Sequence, residues 1–126
     1  MTHLFVKIFA GLSALFAGCV LVQIFFAGLA VFGQPTAWLY HTTFIHFFEM
    51  IPVLMLICAF IARLPGRLRW MSVVLIALIF VQYLTANLAS TAHWIGALHP
   101  IIAFMVLGAS LNVTQQSIRA AWGKSS

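Results

Sequence analysis

The chain has 126 residues, of which 64% are hydrophobic and only 6% are charged; its formal net charge is +5, and Glu49 is the single acidic residue. A soluble domain of this size needs about a quarter of its residues charged to cover its surface, so the composition excludes that class and indicates a protein surrounded by lipid. The six lysines and arginines are separated by apolar runs rather than gathered in a stripe, which excludes a nucleic-acid-binding surface.

The first two apolar segments are each long enough to cross a bilayer, whose hydrocarbon core of about 30 Å needs about 20 helical residues. The first predicted span covers residues 8–32, starts after Lys7 and ends at a Gly-Gln-Pro turn. The second covers residues 39–62 and ends before Arg63. Pro52 lies inside this second span and predicts a kink, because proline has no N–H to donate to the carbonyl of Phe48.

The last two segments complete a bundle. The third predicted span covers residues 70–88, and the fourth covers residues 99–117 and opens at His99-Pro100, where proline suits the first helical turn. The connections are short, which predicts that consecutive helices are antiparallel neighbours. The expected fold is all-α: an up-down four-helix membrane bundle that forms a single transmembrane domain over residues 1–126.

The basic residues predict how the bundle is oriented. In this layout they all fall on one side of the membrane, and the positive-inside rule predicts that this side is the cytoplasm, with both the N-terminus and the C-terminus on it. The residues are Lys7, Arg63, Arg67, Arg69, Arg119 and Lys124.

Four of the five histidines and the single carboxylate lie on or near the opposite, outer side. His41, His46 and Glu49 lie early in the second span, and His99 opens the fourth. At about 1.5 Å per helical residue, His46 lies roughly 25 Å above Arg63, and Glu49 roughly 21 Å. Ionisable groups at membrane depth are costly and by default face the bundle interior as a functional site.

Two histidines at similar depth on different helices are what a b-type haem requires, since the iron takes one imidazole on each face between apolar walls. We predict His46 and His99 as the iron ligands, with His41 as the alternative ligand because the start of the second helix is uncertain from sequence. The walls are expected from four phenylalanines: Phe44, Phe47, Phe48 and Phe104. Hydrogen bonding between helices, or a copper site that includes Met50, are the other roles open to these histidines.

Three further polar residues are expected around the haem. Glu49 is a candidate partner of a protonated histidine, a neutral buried carboxyl, or a proton acceptor for quinol oxidation. Gln23 and Gln82 lie too deep to be solvated, and we expect them to hydrogen-bond between helices beside the cofactor. No catalytic group is assigned, so the sequence leaves open whether the protein is an enzyme.

The chain also resembles a family of small four-helix bacterial membrane proteins of unknown function. The resemblance covers residues 22–119 and rests on VQIFFAGL at 22–29, ARLP at 62–65, VQ at 81–82 and ALHP at 97–100. The family's histidines match His46 and His99, whereas Glu49 stands where the pattern usually has a small residue. The resemblance implies a multi-pass protein of the bacterial cytoplasmic (inner) membrane.

More distantly, the architecture is similar to four-helix b-type cytochromes that bind haem through two histidines. Those proteins usually hold two haems, one near each face, whereas this chain has no histidine in the inner part of any predicted span. The similarity therefore implies at most one haem b, near the outer face.

The leading functional hypothesis is a single-haem b-type membrane cytochrome that exchanges electrons near the outer face, with quinol, superoxide or a redox partner protein. Two alternatives stay open. One is a non-enzymatic accessory subunit of a larger respiratory or photosynthetic membrane complex, in which the polar cluster joins helices. The other is a small metal-binding protein or transporter that uses the outer histidines.

Overall fold

A computed structural model describes residues 1–123 and shows an all-α chain; Lys124, which the charge argument used, lies outside the described residues. The helices are α1 (Thr2–Val31), α2 (Ala37–Phe48), α3 (Ile51–Ile61), α4 (Gly66–Leu88) and α5 (His93–Trp122). Helices α2 and α3 follow each other directly and together form the second span.

Four helical segments of this chain are long and apolar enough to cross a membrane, with α2 and α3 forming one of them. Many large apolar side chains cover the outside of the bundle, as lipid-facing positions require. Examples with more than half of their surface exposed are Leu15, Phe25, Phe60, Phe80, Ile101 and Phe104. The expected multi-pass, four-helix character is confirmed; the direction in which the bundle crosses the membrane stays a prediction.

Three helices extend beyond the predicted spans. Helix α1 begins at Thr2, α4 begins at Gly66 and α5 begins at His93, six residues before the predicted start at His99. Pro100 therefore lies inside α5 rather than in its first turn. Apolarity alone marks the stretch that lies in lipid, and helices continue past it into the headgroup region, where polar residues keep the same backbone hydrogen bonds.

The second span is broken in the membrane. Helix α2 ends at Phe48, Glu49 and Met50 form a turn, and α3 begins at Ile51 with the buried Pro52 as its second residue. The expected kink is thus present as a break, at the position where proline cannot donate to the carbonyl of Phe48.

The helices pack as a ring in which each span contacts its neighbours. Helix α1 packs on α5, α2 and α3, whereas α4 packs on α5 and α3. Helix α2 makes no comparable backbone contact with α4. The break at Glu49 therefore divides the second span into two parts. Helix α3 packs on α4, whereas the backbone of α2 does not.

We name the two ends of the bundle by their residues. The basic end carries Lys7 near the start of α1, Arg63, Arg67 and Arg69 around the start of α4, and Arg119 near the end of α5. The histidine end carries His41, His46, Glu49 and His99. The fully buried side chains Phe9, Leu75 and Val113 belong to the tightly packed part of the bundle toward the basic end.

Candidate functional site

A cavity of about 360 Å³ lies inside the bundle toward the histidine end, and helices α1, α2, α4 and α5 all contribute to its wall. Its apolar wall includes Phe16, Val20, Ile24, Phe48, Ile79, Phe104 and Val106. Its polar wall includes Gln23, His41, Thr42, His46, Gln82, Tyr83, Asn87 and His99. The volume is that of a small-molecule site, and few polar groups among apolar walls are typical of one.

Of the phenylalanines expected around the histidines, Phe48 and Phe104 line the cavity. The expectation is wrong for Phe47, whose side chain is 80% exposed on the outside of α2. Phe44 packs against Phe26 and Phe48 instead, with ring centres 5.6 Å and 5.2 Å away. The difference arises because consecutive residues of a helix point about 100° apart, so neighbouring phenylalanines cannot all face one cavity.

His41 is fixed by a reciprocal pair of hydrogen bonds with α1. Its ring Nδ1 lies 2.9 Å from the carbonyl oxygen of Gln23, and the Gln23 side-chain amide donates to the His41 carbonyl at 2.7 Å. A carbonyl oxygen only accepts, so Nδ1 of His41 carries the proton. The other ring nitrogen, Nε2, is then left with its lone pair.

His99 is held by α4 in the same way. Its Nδ1 lies 3.1 Å from the carbonyl oxygen of Gln82 and 3.1 Å from the hydroxyl of Thr85. In the tautomer in which Nδ1 donates to the Gln82 carbonyl, Nε2 of His99 also keeps its lone pair. With the Gln82 side chain oriented so that both of its ends have partners, its oxygen accepts from the Ala103 N–H at 3.2 Å. Its nitrogen then lies 2.9 Å from the His99 carbonyl oxygen and 3.1 Å from His99 Nδ1.

The structure brings His41 and His99 together across the bundle, with ring centres 6.3 Å apart and planes inclined by 64°. Sequence reasoning named His41 only as the alternative to His46, because the choice depends on the sideways position of α2 relative to α5. Residue counting gives depth along a helix axis and no distance across the bundle.

His46 lies in a second cluster, with Tyr83 and Glu49. Its ring is stacked at 6.3 Å on that of Tyr83, and its Nδ1 lies 3.3 Å from the Tyr83 hydroxyl and 3.4 Å from Glu49 Oε1. The Tyr83 hydroxyl donates to Glu49 Oε2. The cluster therefore joins α2 to α4 across the side of the bundle where their backbones are not packed together.

Each predicted site residue thus has a defined place. His41, His46, His99, Gln23 and Gln82 line the cavity, whereas Glu49 lies beside it and reaches it through Tyr83. Sequence reasoning had given no role to Tyr83 and Thr85, since a tyrosine or threonine in an apolar helix gives no sign of its partner on another helix.

Two observations bear on what the cavity can hold. Within residues 1–123, no group of three or more His, Cys, Asp or Glu side chains is arranged to hold a metal ion. In addition, Gln23 Oε1 is buried and has no hydrogen-bond donor among the described residues. A buried acceptor of this kind is costly without a partner, so a bound molecule or water with a donor fits beside it.

Comparison with known proteins identifies the family but no activity. A family model described as a family of unknown function (DUF6220) matches residues 23–92, more than half of the chain, and the protein belongs to that family. Searches of curated proteins and of solved structures give no match.

Proposed function

We propose that this protein is a b-type haem protein whose iron is held between His41 and His99 and which exchanges electrons at the histidine end of the bundle. The observation that carries the proposal is the His41–His99 pair, with ring centres 6.3 Å apart. His41 and His99 would hold the haem iron between them, since this separation leaves room for one metal ion bound by both rings.

The hydrogen bonds of both histidines support the same role. Histidines that bind a metal usually donate their other ring N–H to a carbonyl or carboxylate, which fixes the ring and makes the ligating nitrogen more basic. His41 donates to Gln23 and His99 to Gln82 in this way. In this proposal each glutamine orients one iron ligand: the backbone carbonyl of Gln23 accepts from His41, and that of Gln82 accepts from His99.

The number of candidate ligands favours haem over a bare metal ion. Zinc sites take three or four protein ligands, and the described residues offer no group of three His, Cys, Asp or Glu. A porphyrin supplies the equatorial nitrogens itself, so that two histidines are enough. Haem would supply one-electron chemistry to the site.

The geometry favours His41 over His46 as the partner of His99. His46 stacks on Tyr83 and is directed to Glu49, and its side chain is 61% exposed. His46, Glu49 and Tyr83 lie on the side of the bundle where the backbones of α2 and α4 are not packed together. We assign them to proton exchange with an electron donor such as a quinol.

The test is the visible spectrum of the purified protein from haem-replete cells, reduced minus oxidised, with haem counted per chain. We expect sharp α and β bands and about one haem per chain. H99A and H41A should lose at least about tenfold in haem content, since removal of a ligand or its support typically costs 10–100-fold in affinity. H41M should retain haem with a shifted spectrum, because methionine also ligates haem iron.

Two matched variants serve as controls. His93 is exposed and does not line the cavity, so H93A should keep its full haem content, and H46A should do the same. A colourless wild-type preparation would overturn the proposal. If H46A loses haem and H41A keeps it, the iron ligands are His46 and His99 instead of His41 and His99.

A further inference from the structure

A second groove lies on the outside of the bundle near the basic end, between α3 and α4, with a volume of about 440 Å³. Its wall is formed by Leu56, Phe60, Gly66, Arg69, Trp70 and Val73. Arg69 is the one charged residue among them. Nothing in the haem proposal uses this groove, which lies on other helix faces than the cavity.

The Arg69 side chain packs against α3 and has one N–H donor without an acceptor among the described residues. Its guanidinium carbon lies 5.0 Å from the centre of the Phe60 ring, a cation–π contact that fixes the side chain against α3. Its Nε atom is buried and has no acceptor among the described residues. Glu49, the only acidic side chain of the protein, lies toward the histidine end, so no carboxylate side chain of this chain can pair with Arg69.

The surroundings of Arg69 favour an anion. Arg63 and Arg67 lie in the same turn region, and helix α4 begins at Gly66 with no side-chain cap. The N–H groups of a helix N-terminus attract phosphate. A Cβ built on Gly66 would meet no atom within 4 Å, so there is open space at this end of the groove.

The rest of the groove is suited to a hydrocarbon chain. Leu56 lies one turn deeper than Phe60 on α3, and Val73 lies one turn deeper than Arg69 on α4. Trp70 is 70% exposed beside them, as is typical of a tryptophan at the headgroup level of a membrane. Charge is therefore found at the membrane surface and apolar side chains below it, in the same order as the headgroup and acyl chain of a phospholipid.

We propose that this groove binds an anionic phospholipid, with the phosphodiester at Arg69 and the first turn of α4 and one acyl chain along Leu56 and Val73. Arginine binds phosphate oxygens through several N–H donors at once, and basic pockets between transmembrane helices recognise lipid headgroups of this charge. A site of this kind gives Arg69 Nε the acceptor that the protein itself does not provide.

The test uses native mass spectrometry of the detergent-solubilised protein titrated with phosphatidylglycerol, phosphatidylcholine or glycerol 3-phosphate. We expect one phosphatidylglycerol per chain, bound more tightly than either of the other two. R69Q should weaken binding by about 10–100-fold, since a hydrogen bond to a charged group is lost. V73W, which leaves the charge intact and fills the apolar part, should also weaken it.

R67Q is the matched control, because Arg67 lies two residues away, carries the same charge and does not line the groove. It should weaken binding by no more than about fivefold, the effect of one basic residue near an anionic surface. Equal losses in R67Q and R69Q would overturn the proposal in favour of diffuse attraction. Equal affinity for phosphatidylcholine, or for glycerol 3-phosphate, would overturn it too. We expect the haem content to be the same in these variants as in the wild type, so that each proposal can fail separately.

Discussion

The two ends of the bundle are built from the same kind of helix but are packed differently. Toward the basic end, small and apolar side chains fill the space between α1, α4 and α5, and the hydroxyls of Ser13 and Ser117 meet at 2.8 Å. Toward the histidine end, the same helices surround a cavity whose polar groups hold histidines in fixed orientations. The two parts of the bundle therefore differ in packing: one is closely packed and the other contains a cavity.

The break in the second span is what separates the two parts. Toward the basic end α3 packs on α4, whereas toward the histidine end the extensive backbone packing of α2 is on α1. Van der Waals packing is the main stabilising interaction between helices in lipid, because the lipid tails are as apolar as the side chains. A gap between α2 and α4 therefore lowers stability, unless a ligand fills the cavity beside it.

The largest expected effect is on the free energy of unfolding, when a side chain is shortened in the tightly packed part. It is compared with the same change in a side chain that lines the cavity. Leu75 is fully buried, whereas Ile79, one turn along the same helix, lines the cavity. L75A should lower the free energy of unfolding by about 2–5 kcal/mol, because it creates a new cavity. I79A should cost less than about 1.5 kcal/mol, because its side chain already borders empty space. Reversible unfolding in mixed micelles measures both.

Equal costs for L75A and I79A in the haem-free protein would contradict this comparison. They would mean that the histidine end is packed as densely as the rest of the bundle.

Restoring the broken helix should change the opening. In P52A the N–H at position 52 can donate to the Phe48 carbonyl, so α2 and α3 should form one straighter helix. Helix α2 has 12 residues, and straightening it by about 20° moves its far end by about 6 Å. We expect spin labels at Leu39 and Leu84 to come closer by about that distance in double electron–electron resonance.

Labels at Ile57 and Val74, on α3 and α4, provide the control and should move by less than about 2 Å, since these helices already pack together. An unchanged Leu39–Leu84 distance in P52A would show that the proline does not set the position of α2.

A further comparison removes one hydroxyl in each part. Y83F removes the donor to the Glu49 carboxylate and should cost about 1.5–3 kcal/mol if that carboxylate is charged. S13A removes the contact with Ser117 and should cost about 0.6 kcal/mol, the average for polar contacts between membrane helices. The same unfolding measurement compares the two variants. A larger loss of stability in S13A than in Y83F would contradict the expectation that the stronger polar contacts lie at the histidine end.

Much of the fold could be predicted because it depends on long apolar runs. The four spans and the kink at Pro52 follow from hydropathy and from the missing proline N–H. The start of α5 at His93 could not be predicted, since its first residues are polar and hydropathy does not distinguish them from a loop. The depth of the polar residues could be counted, which is why His41, His46 and His99 all entered the prediction.

The choice between His41 and His46 could not be made in advance. These residues lie five positions apart on α2, and which one faces α5 depends on how that helix is rotated, which its own apolar pattern does not fix. The roles of Tyr83 and Thr85 depend on partners 34 and 14 residues away. Such contacts arise only after the helices have assembled.

The broken second span has a consequence for how the protein can change over evolutionary time. Helix α2 is joined to its neighbours at the histidine end by the Gln23–His41 hydrogen bonds and the Tyr83–Glu49 contact. Substitutions at these few positions can alter the width and chemistry of the opening without touching Phe9, Leu75 or Val113. The histidine end and the tightly packed part can therefore change independently of each other.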